Sequence, residues 1–545
     1  MKTLSNQSII AVLLILPSSQ LFSQSSSSSG NTLLLTGLVI VSVILILWAL
    51  LTLANNLMRI EAAKHGLDTM KSNFSVFPGK SDLFKGNPKF TDGFPFVKLK
   101  KGFDITLDGE PTKSLDSPKV NRFAIQPTDF LGMSPIPKVT VEIGQNVKAG
   151  DVLFYDKKRE DIFYVSPVSG EVVAVERGEK RVINNVIILA DKQVQYKSFT
   201  LPNIEKDSRE TLVAFLKSSG LWPFINERPF DRVPDGQKIP SNIFISTFDS
   251  APLAPDLNFI IEGQEKAFQK GLDVLQKLTS GQVHLGLDGR DKNNPPHPIF
   301  VNATGVVKTF FAGKHPSGNV GIQIHHTKPI KPGQTVWTLG IQGVTTIGNM
   351  FLEGKFMAER IVAISGIEVK SPQYVKTFQG CHVGEILKDN IHNDQARIIS
   401  GDVLSGKQIS LDGYLGFNDD QITTIKEGNE YELFGWLLPI KPRPSISGTF
   451  PNFLYPDHKF EADTNTHGEK RALVVTGQYE EVLPMDTFPQ HLIKSIITND
   501  LERMEGLGIL ELTEEDVALC EFVCTSKTPV QKILRQGLEA LQEQS

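Results

Sequence analysis

Gly401-Asp-Val-Leu-Ser-Gly406-Lys407 has the spacing of a phosphate-binding loop up to its last position. There Gln408 stands where a Ser or Thr hydroxyl would hold Mg²⁺, so the stretch reads as a turn between strands. Gly506-Leu-Gly508 lacks the third glycine that would let a dinucleotide pyrophosphate approach a helix start. His315, His325 and His326 fall within twelve residues, yet no cysteine or carboxylate completes a metal set nearby. They are expected to be strand histidines bonded to backbone. Cys520 and Cys524 lie four apart on an expected helix and share a face, which suits small buried residues. No Ser/His/Asp, Cys/His or paired-carboxylate arrangement stands out. No catalytic, cofactor-binding or metal-binding residue is therefore expected in this chain.

The elements around these residues change period along the body. From Phe96 to about Thr200 the chain is strand-rich. Gly144, Gly150 and Gly170 supply turns that a side chain would obstruct, while Val141, Val147, Leu153 and Val172 are expected to face inward. This pattern resembles the biotinyl/lipoyl barrel-sandwich fold, whose carrier forms bear a modified lysine on the hairpin between the halves. Here the hairpin carries Lys157 and Lys158 among alternating charges, which reads as a solvated turn. From Ser208 onward helix and strand alternate. Leu212, Phe215 and Leu216 suit a helix, Asn242–Thr247 a strand, Phe268, Leu272 and Leu275 a helix, and Gln282–Leu287 a strand. That alternation predicts an α/β unit with a parallel sheet. The last sixty residues read as helical, and Thr513-Glu-Glu-Asp516 makes a capping-box start.

Ahead of the body, no charged side chain lies between Lys2 and Arg59. The apolar run Ile9–Leu16 is too short for a bilayer and, with Ser23 placed for a cut, predicts a signal peptide over 1–23. A Ser-rich spacer is expected over 24–31 and a membrane-spanning helix over 32–54, anchored by Leu33, Trp48 and Leu53. Arg59, Lys64, Lys71 and Lys80 follow that helix, which places the large C-terminal part in the cytoplasm. Residues 55–95 read as a linker.

The composition narrows the classes further. The chain has 545 residues, enough for about three or four domains. With 61 acidic against 56 basic side chains, a net charge of -5 argues against a nucleic-acid binder. Three cysteines cannot make a disulfide framework or an all-cysteine cluster.

Taken in order, several stretches resemble the A subunit of the sodium-translocating NADH:quinone reductase. They include Leu99-Lys-Lys-Gly-Phe-Asp-Ile-Thr106, Gly150-Asp-Val-Leu-Phe154, Ser166-Pro-Val-Ser-Gly170, Ser219-Gly-Leu-Trp222 with Arg228-Pro-Phe230, His315-Pro-Ser-Gly318, Phe434-Gly-Trp436 and Leu519-Cys-Glu-Phe-Val-Cys524. The N-terminal membrane segment departs from the family, whose usual member begins near Leu99 and is peripheral. The resemblance implies a multidomain α/β plus β fold: a barrel-sandwich domain over 96–200, a Rossmann-like α/β domain over 201–358, a ubiquitin-like SLBB β-grasp domain over 359–410, a β-rich segment over 411–485 and a helical region over 486–545. The family is similar in architecture to the NADH-binding subunit of respiratory complex I, which places a glycine-rich loop against flavin and a cysteine-rich motif around a cluster. Here the equivalent loop is Ser219–Phe224, with bulky Leu221, Trp222 and Phe224, and the cysteine motif is reduced to Cys520 and Cys524.

The resemblance implies that no redox cofactor sits on this chain. NADH, flavins (FAD, FMN and riboflavin) and an iron–sulfur centre belong to the partner subunits (B to F). This chain would help form the quinone-reducing end, next to the quinone-proximal B subunit in the membrane. The whole complex, in the cell inner membrane, would couple ubiquinone reduction to Na⁺ export. Two alternatives are a membrane-anchored lipoyl-domain adaptor of an efflux system and a biotin or lipoate carrier modified at Lys157 or Lys158.

Overall fold

The computed structural model describes residues 29–64, 87–393, 395–428, 430, 442–447, 452, 455 and 457–544. The expected signal peptide, Lys71, Lys80 and Phe434-Gly-Trp436 lie outside the described residues. The chain divides into two compact units, 1–86 and 87–545.

In the first unit, helix α1 (Ser29–Lys64) is 36 residues long. It takes in the end of the expected spacer and the start of the expected linker, because nothing between Gly30 and Lys64 breaks a helix. Leu35–Ala54 is the one span among the described residues that is long and apolar enough to cross a membrane. Trp48 and Leu53 are exposed on it; the side chain of Leu33 lies outside the described ones.

The second unit begins with two short strands, β1 (Phe96–Lys98) and β2 (Thr112–Asp116). Seven more follow: β3 (Arg122–Ile125), β4 (Lys138–Val139), β5 (Asn146–Val147), β6 (Val152–Asp156), β7 (Arg159–Val165), β8 (Gly170–Arg177) and β9 (Ile183–Ala190). They form a barrel sandwich of two sheets, β3-β9-β8-β5 and β4-β6-β7. Val141, Val147, Leu153 and Val172 are buried between them, as their alternation predicts. Gly170 is required by close approach: a Cβ there would sit 2.0 Å from the Leu189 carbonyl oxygen.

Next come α2 (Arg209–Ser218), β10 (Asn226–Arg228), β11 (Ile243–Ser246), α3 (Glu265–Gln276), β12 (Val283–Asp288), β13 (Val307–Ala312), α4 (Val320–Thr327), β14 (Val336–Thr338) and α5 (Ile341–Glu353). Their sheet runs β1-β13-β12-β11-β14-β10, parallel except where β10 meets β14. Helices α3 and α5 touch at their backbones, since a Cβ on Gly348 would lie 1.7 Å from the Ala267 oxygen. A third sheet holds β15 (Glu359–Ser365), β16 (Gln373–Phe378), β17 (Arg397–Ser400), β18 (Lys407–Ile409) and β19 (Gln421–Ile425) in the order β18-β17-β19-β15-β16-β2, with helix α6 (Val383–Ile386) beside it. Five helices close the chain: α7 (Gln478–Val482), α8 (Pro489–Ile497), α9 (Leu501–Gly506), α10 (Glu514–Val523) and α11 (Val530–Gln544).

The expected boundaries need three corrections here. Strands β1 and β2 lie within the stretch 96–200 yet complete the second and third sheets, through backbone pairing with β13 and β16. Between 411 and 485, where the β-rich segment is expected, the described residues hold one strand, β19, and the short helix α7, and residues 431–441 lie outside the described ones. His325 and His326 stand on helix α4, not on a strand. The alternation around Gly321, Ile322 and Ile324 reads as β, but burial of four consecutive residues, Gly321–Ile324, satisfies a short helix packed on all sides.

One apolar core runs through all three sheets. Phe130 lies 4.4 Å from Tyr164 and 4.7 Å from Phe417, and Phe417 lies 4.9 Å from Phe224, so aromatic rings from each layer meet at one junction. The C-terminal helices build a second core of their own around Leu492, Ile509, Leu519 and Leu534.

Candidate functional site

In open α/β sheets, ligand chemistry gathers at the carboxyl ends of the parallel strands. Here those ends bring together Asp104, Asp249, Ser250, Arg290 and His315. The His315 backbone N–H donates to Asp104 Oδ1 at 2.8 Å, and its ring Nδ1 lies 3.1 Å from Ser250 Oγ. Burial lowers its pKa and keeps the imidazole neutral. Arg290 pairs with Asp288 at 2.8 Å and stacks 4.9 Å from the centre of the Phe248 ring.

His325 and His326 do not join His315. His325 Nε2 accepts the Asp486 N–H at 3.1 Å, so its Nδ1 carries the proton given to Glu511 at 2.8 Å. His326 Nε2 donates to the Pro484 oxygen at 2.6 Å. Both fasten α4 to the C-terminal region. Among the described residues no group of three or more His, Cys, Asp or Glu is arranged to hold a metal ion.

The loop that would cradle a flavin is filled by the protein itself. Gly220 has φ +79°, and a Cβ there would meet the Val165 side chain at 2.3 Å. Leu221 and Trp222 are fully buried, and Phe224 is 3% exposed. The Trp222 indole donates to the Pro234 oxygen at 2.7 Å and meets Trp337 edge-on at 5.2 Å. A planar cofactor has no room against this backbone. The cysteine pair likewise serves packing. Burial raises the Cys520 thiol, and although burial also opposes ionisation of Cys524, hydrogen bonds from Tyr479 Oη at 2.9 Å and the Thr528 N–H at 3.4 Å bring it below its ordinary value. Both are buried, and the third cysteine, Cys381, is buried elsewhere with its thiol pushed up to about 12 by burial. A cluster that takes four thiolates does not fit this donor set.

Two other expectations concern turns. In Gly401–Lys407, Asp402 Oδ1 accepts the N–H groups of Leu404 at 2.6 Å and Ser405 at 3.1 Å, so those donors are not offered to a phosphate. Strands β6 and β7 meet at Lys157 and Lys158 in a two-residue turn, which leaves no place for the long helical hairpin of an efflux adaptor.

Sequence reasoning missed a carboxylate group at the three-layer junction. Asp129 Oδ2 accepts the Phe417 N–H at 3.0 Å, and its other oxygen lies 3.9 Å from Lys407 Nζ. Burial, helped by neighbouring Asp419, pushes its pKa up to about 7. Burial also raises Asp419, which accepts from Ser400 Oγ at 2.5 Å, and takes Asp420 to about 6 beside Arg360. Because the folded state holds the Asp129 proton more tightly than the unfolded chain does, stability falls as pH rises from about 4 through 7. Asp129→Asn removes that loss. The variant is expected to be about 4 kcal/mol more stable than wild type at pH 8 and no more stable at pH 4. Thermal melts across that range check it; parallel pH slopes for the two proteins would contradict it.

Family models match three stretches of the body: the NqrA N-terminal barrel-sandwich hybrid domain over residues 97–191, the NqrA second alpha/beta domain over 207–356 and the NQRA C-terminal domain over 361–410. The chain is 36% identical over 452 residues to the A subunit of the Na(+)-translocating NADH-quinone reductase of Yersinia pestis bv. Antiqua (strain Angola), covering 82% of this chain and 100% of that one. The relative from Saccharophagus degradans is 37% identical over the same shares. The chain belongs to the family of A subunits of the Na(+)-translocating NADH-quinone reductase.

As an A subunit it is part of a membrane-associated NADH-quinone reductase, and the other subunits of that complex are its partners. Helix α1 lies ahead of Val97, the first residue the A-subunit models match, so it is a feature added to the shared body. Among solved structures, the chain is similar to an NAD⁺-reducing [NiFe]-hydrogenase in the air-oxidized state at 10% identity and a TM-score of 0.33, over 64% of this chain and 67% of that one.

Proposed function

We propose that this A subunit helps form the quinone-reducing end of the sodium pump and carries no redox group of its own. Flavins, the iron–sulfur centre and NADH oxidation reside on the partner subunits (B to F), and sodium leaves through those in the membrane. The chain docks beside the B subunit at the inner membrane, held by its single N-terminal span with the body on the cytoplasmic side.

The observation that carries this reading is the Ser219–Phe224 loop, where Leu221 and Trp222 fill the space a flavin would need. The Cys520 and Cys524 pair, committed to Tyr479 and the chain around Thr528, agrees with it.

The purified full-length chain is expected to be colourless above 350 nm and not to oxidise NADH. Membranes lacking only this polypeptide should retain NADH oxidation with an artificial electron acceptor while losing quinone reduction. A yellow polypeptide, or NADH oxidation by the chain alone, would overturn the proposal.

A further inference from the structure

Residues just ahead of the shared body are packed onto it. Lys89–Thr91 form one 3-10 turn, closed by the Asp92 N–H on the Lys89 oxygen at 3.2 Å. Thr91 is 3% exposed, and its hydroxyl donates to the Pro88 oxygen at 2.7 Å. Gly93, with φ +85°, turns the chain so that Phe94 comes back over the sheet. Phe90 and Phe94 flank the Phe310 ring on β13 at 5.7 and 5.6 Å. Lys308 Nζ stands 5.9 Å from the centre of the Phe94 ring and donates to the Val301 oxygen at 2.5 Å, its pKa lowered by burial. The Pro95 oxygen accepts the Phe310 N–H at 2.9 Å, which extends the β1–β13 ladder by one bond.

We infer that Phe310 and Lys308 form an intramolecular binding seat for residues 88–94, a clip that fastens the first segment of the second unit to the edge of the α/β sheet. Its occupant is this chain's own aromatic pair. The clip precedes Val97, the first residue the family models match, and lies within the second compact unit. It sits at the amino end of β1, whereas Asp104 and His315 lie beyond the carboxyl ends of β1 and β13. Pro88, nearly out of solvent, and Gly93, in a left-handed turn, fix the backbone path that brings both rings against Phe310.

Hydrogen exchange followed by mass spectrometry on the full-length chain in detergent tests the clip. Wild type is expected to protect peptide 88–95 at least ten-fold relative to a free peptide of the same sequence. Phe90→Ala with Phe94→Ala should erase that protection and speed exchange at the start of β13, while β11 and β12 keep theirs. Lys308→Met, which leaves the rings in place, should lose part of the protection and fold normally. Free-peptide exchange in wild type, or unchanged protection in the double variant, would overturn the inference. Loss of protection throughout β11 and β12 would do so as well, since the aromatic pair would then be part of the core and not a separable clip.

Discussion

Arg228→Met is expected to cost about 3–5 kcal/mol and to loosen the C-terminal helices from the body, because it leaves the fully buried Asp516 carboxylate without its cation. Arg228 is 3% exposed, yet its guanidinium donates to Thr513 Oγ1 at 2.6 Å, Asp516 Oδ2 at 3.1 Å and Glu515 Oε1 at 2.7 Å. Its Nε also faces Asp231 at 3.6 Å. Asp516 in turn completes the capping box of α10 and presses on Gly321, where a Cβ would meet its oxygens at 2.4 and 2.5 Å. One cation therefore ties β10, the start of α4 and the start of α10 together. Burial holds Asp516 above the usual carboxylate range even with Arg228 present, whereas the Glu515 side chain is 41% exposed and reaches solvent.

Without the arginine these carboxyls should bind protons more tightly still, so the penalty is greatest at high pH and shrinks as pH falls and they become neutral. Denaturant unfolding at several pH values, with proteolysis of the 513–544 region as a local probe, measures this. Adding Asp516→Asn to Arg228→Met should cost less than the sum of the single changes, since the two residues share one interaction. A loss under about 1 kcal/mol at pH 8 would show that the cluster is solvated and not a lock.

Local features are legible in the sequence alone. The capping box at Thr513 and the inward valines of the barrel sandwich need only neighbours within a few residues. The bulky Leu221, Trp222 and Phe224 announced an apolar loop, and the structure buries all three. What could not be read is long-range. Strand β1 has three residues and no periodicity to detect, and its partner β13 lies some two hundred positions away. Arg228 and Asp516 are 288 apart, and Asp129 meets the Phe417 N–H at the same separation. A lone acidic residue before an aromatic carries no sign that another layer will cover it. The histidines were misread for a related reason. His325 and His326 each find their partner between 158 and 186 residues onward, so local spacing could not show which element bears them.

Removing residues 1–64 is expected to convert the protein from one that resists alkaline extraction to one that washes from membranes with salt. The span Leu35–Ala54 holds thirteen Leu, Ile and Val residues and no charge. At roughly 0.3–0.6 kcal/mol each near the centre of a bilayer, they favour insertion by about 4–8 kcal/mol before the small losses from Gly37, Ser42 and the threonines. The Ser42 and Thr52 hydroxyls donate inside the helix to the Val39 and Trp48 oxygens at 2.8 and 2.7 Å, so they add little to the cost. Once the anchor is in place, docking of the body to its partners becomes an intramolecular event. Loss of the anchor then lowers apparent affinity on the order of 10²- to 10⁴-fold without removing a single contact in the interface. Quinone reduction by membranes carrying the truncated chain should fall at low protein concentration and return when excess truncated protein is added. If the truncated chain stays with the membrane through carbonate washing and supports full activity at stoichiometric amounts, the leader is not the anchor, and the body alone holds its place in the complex.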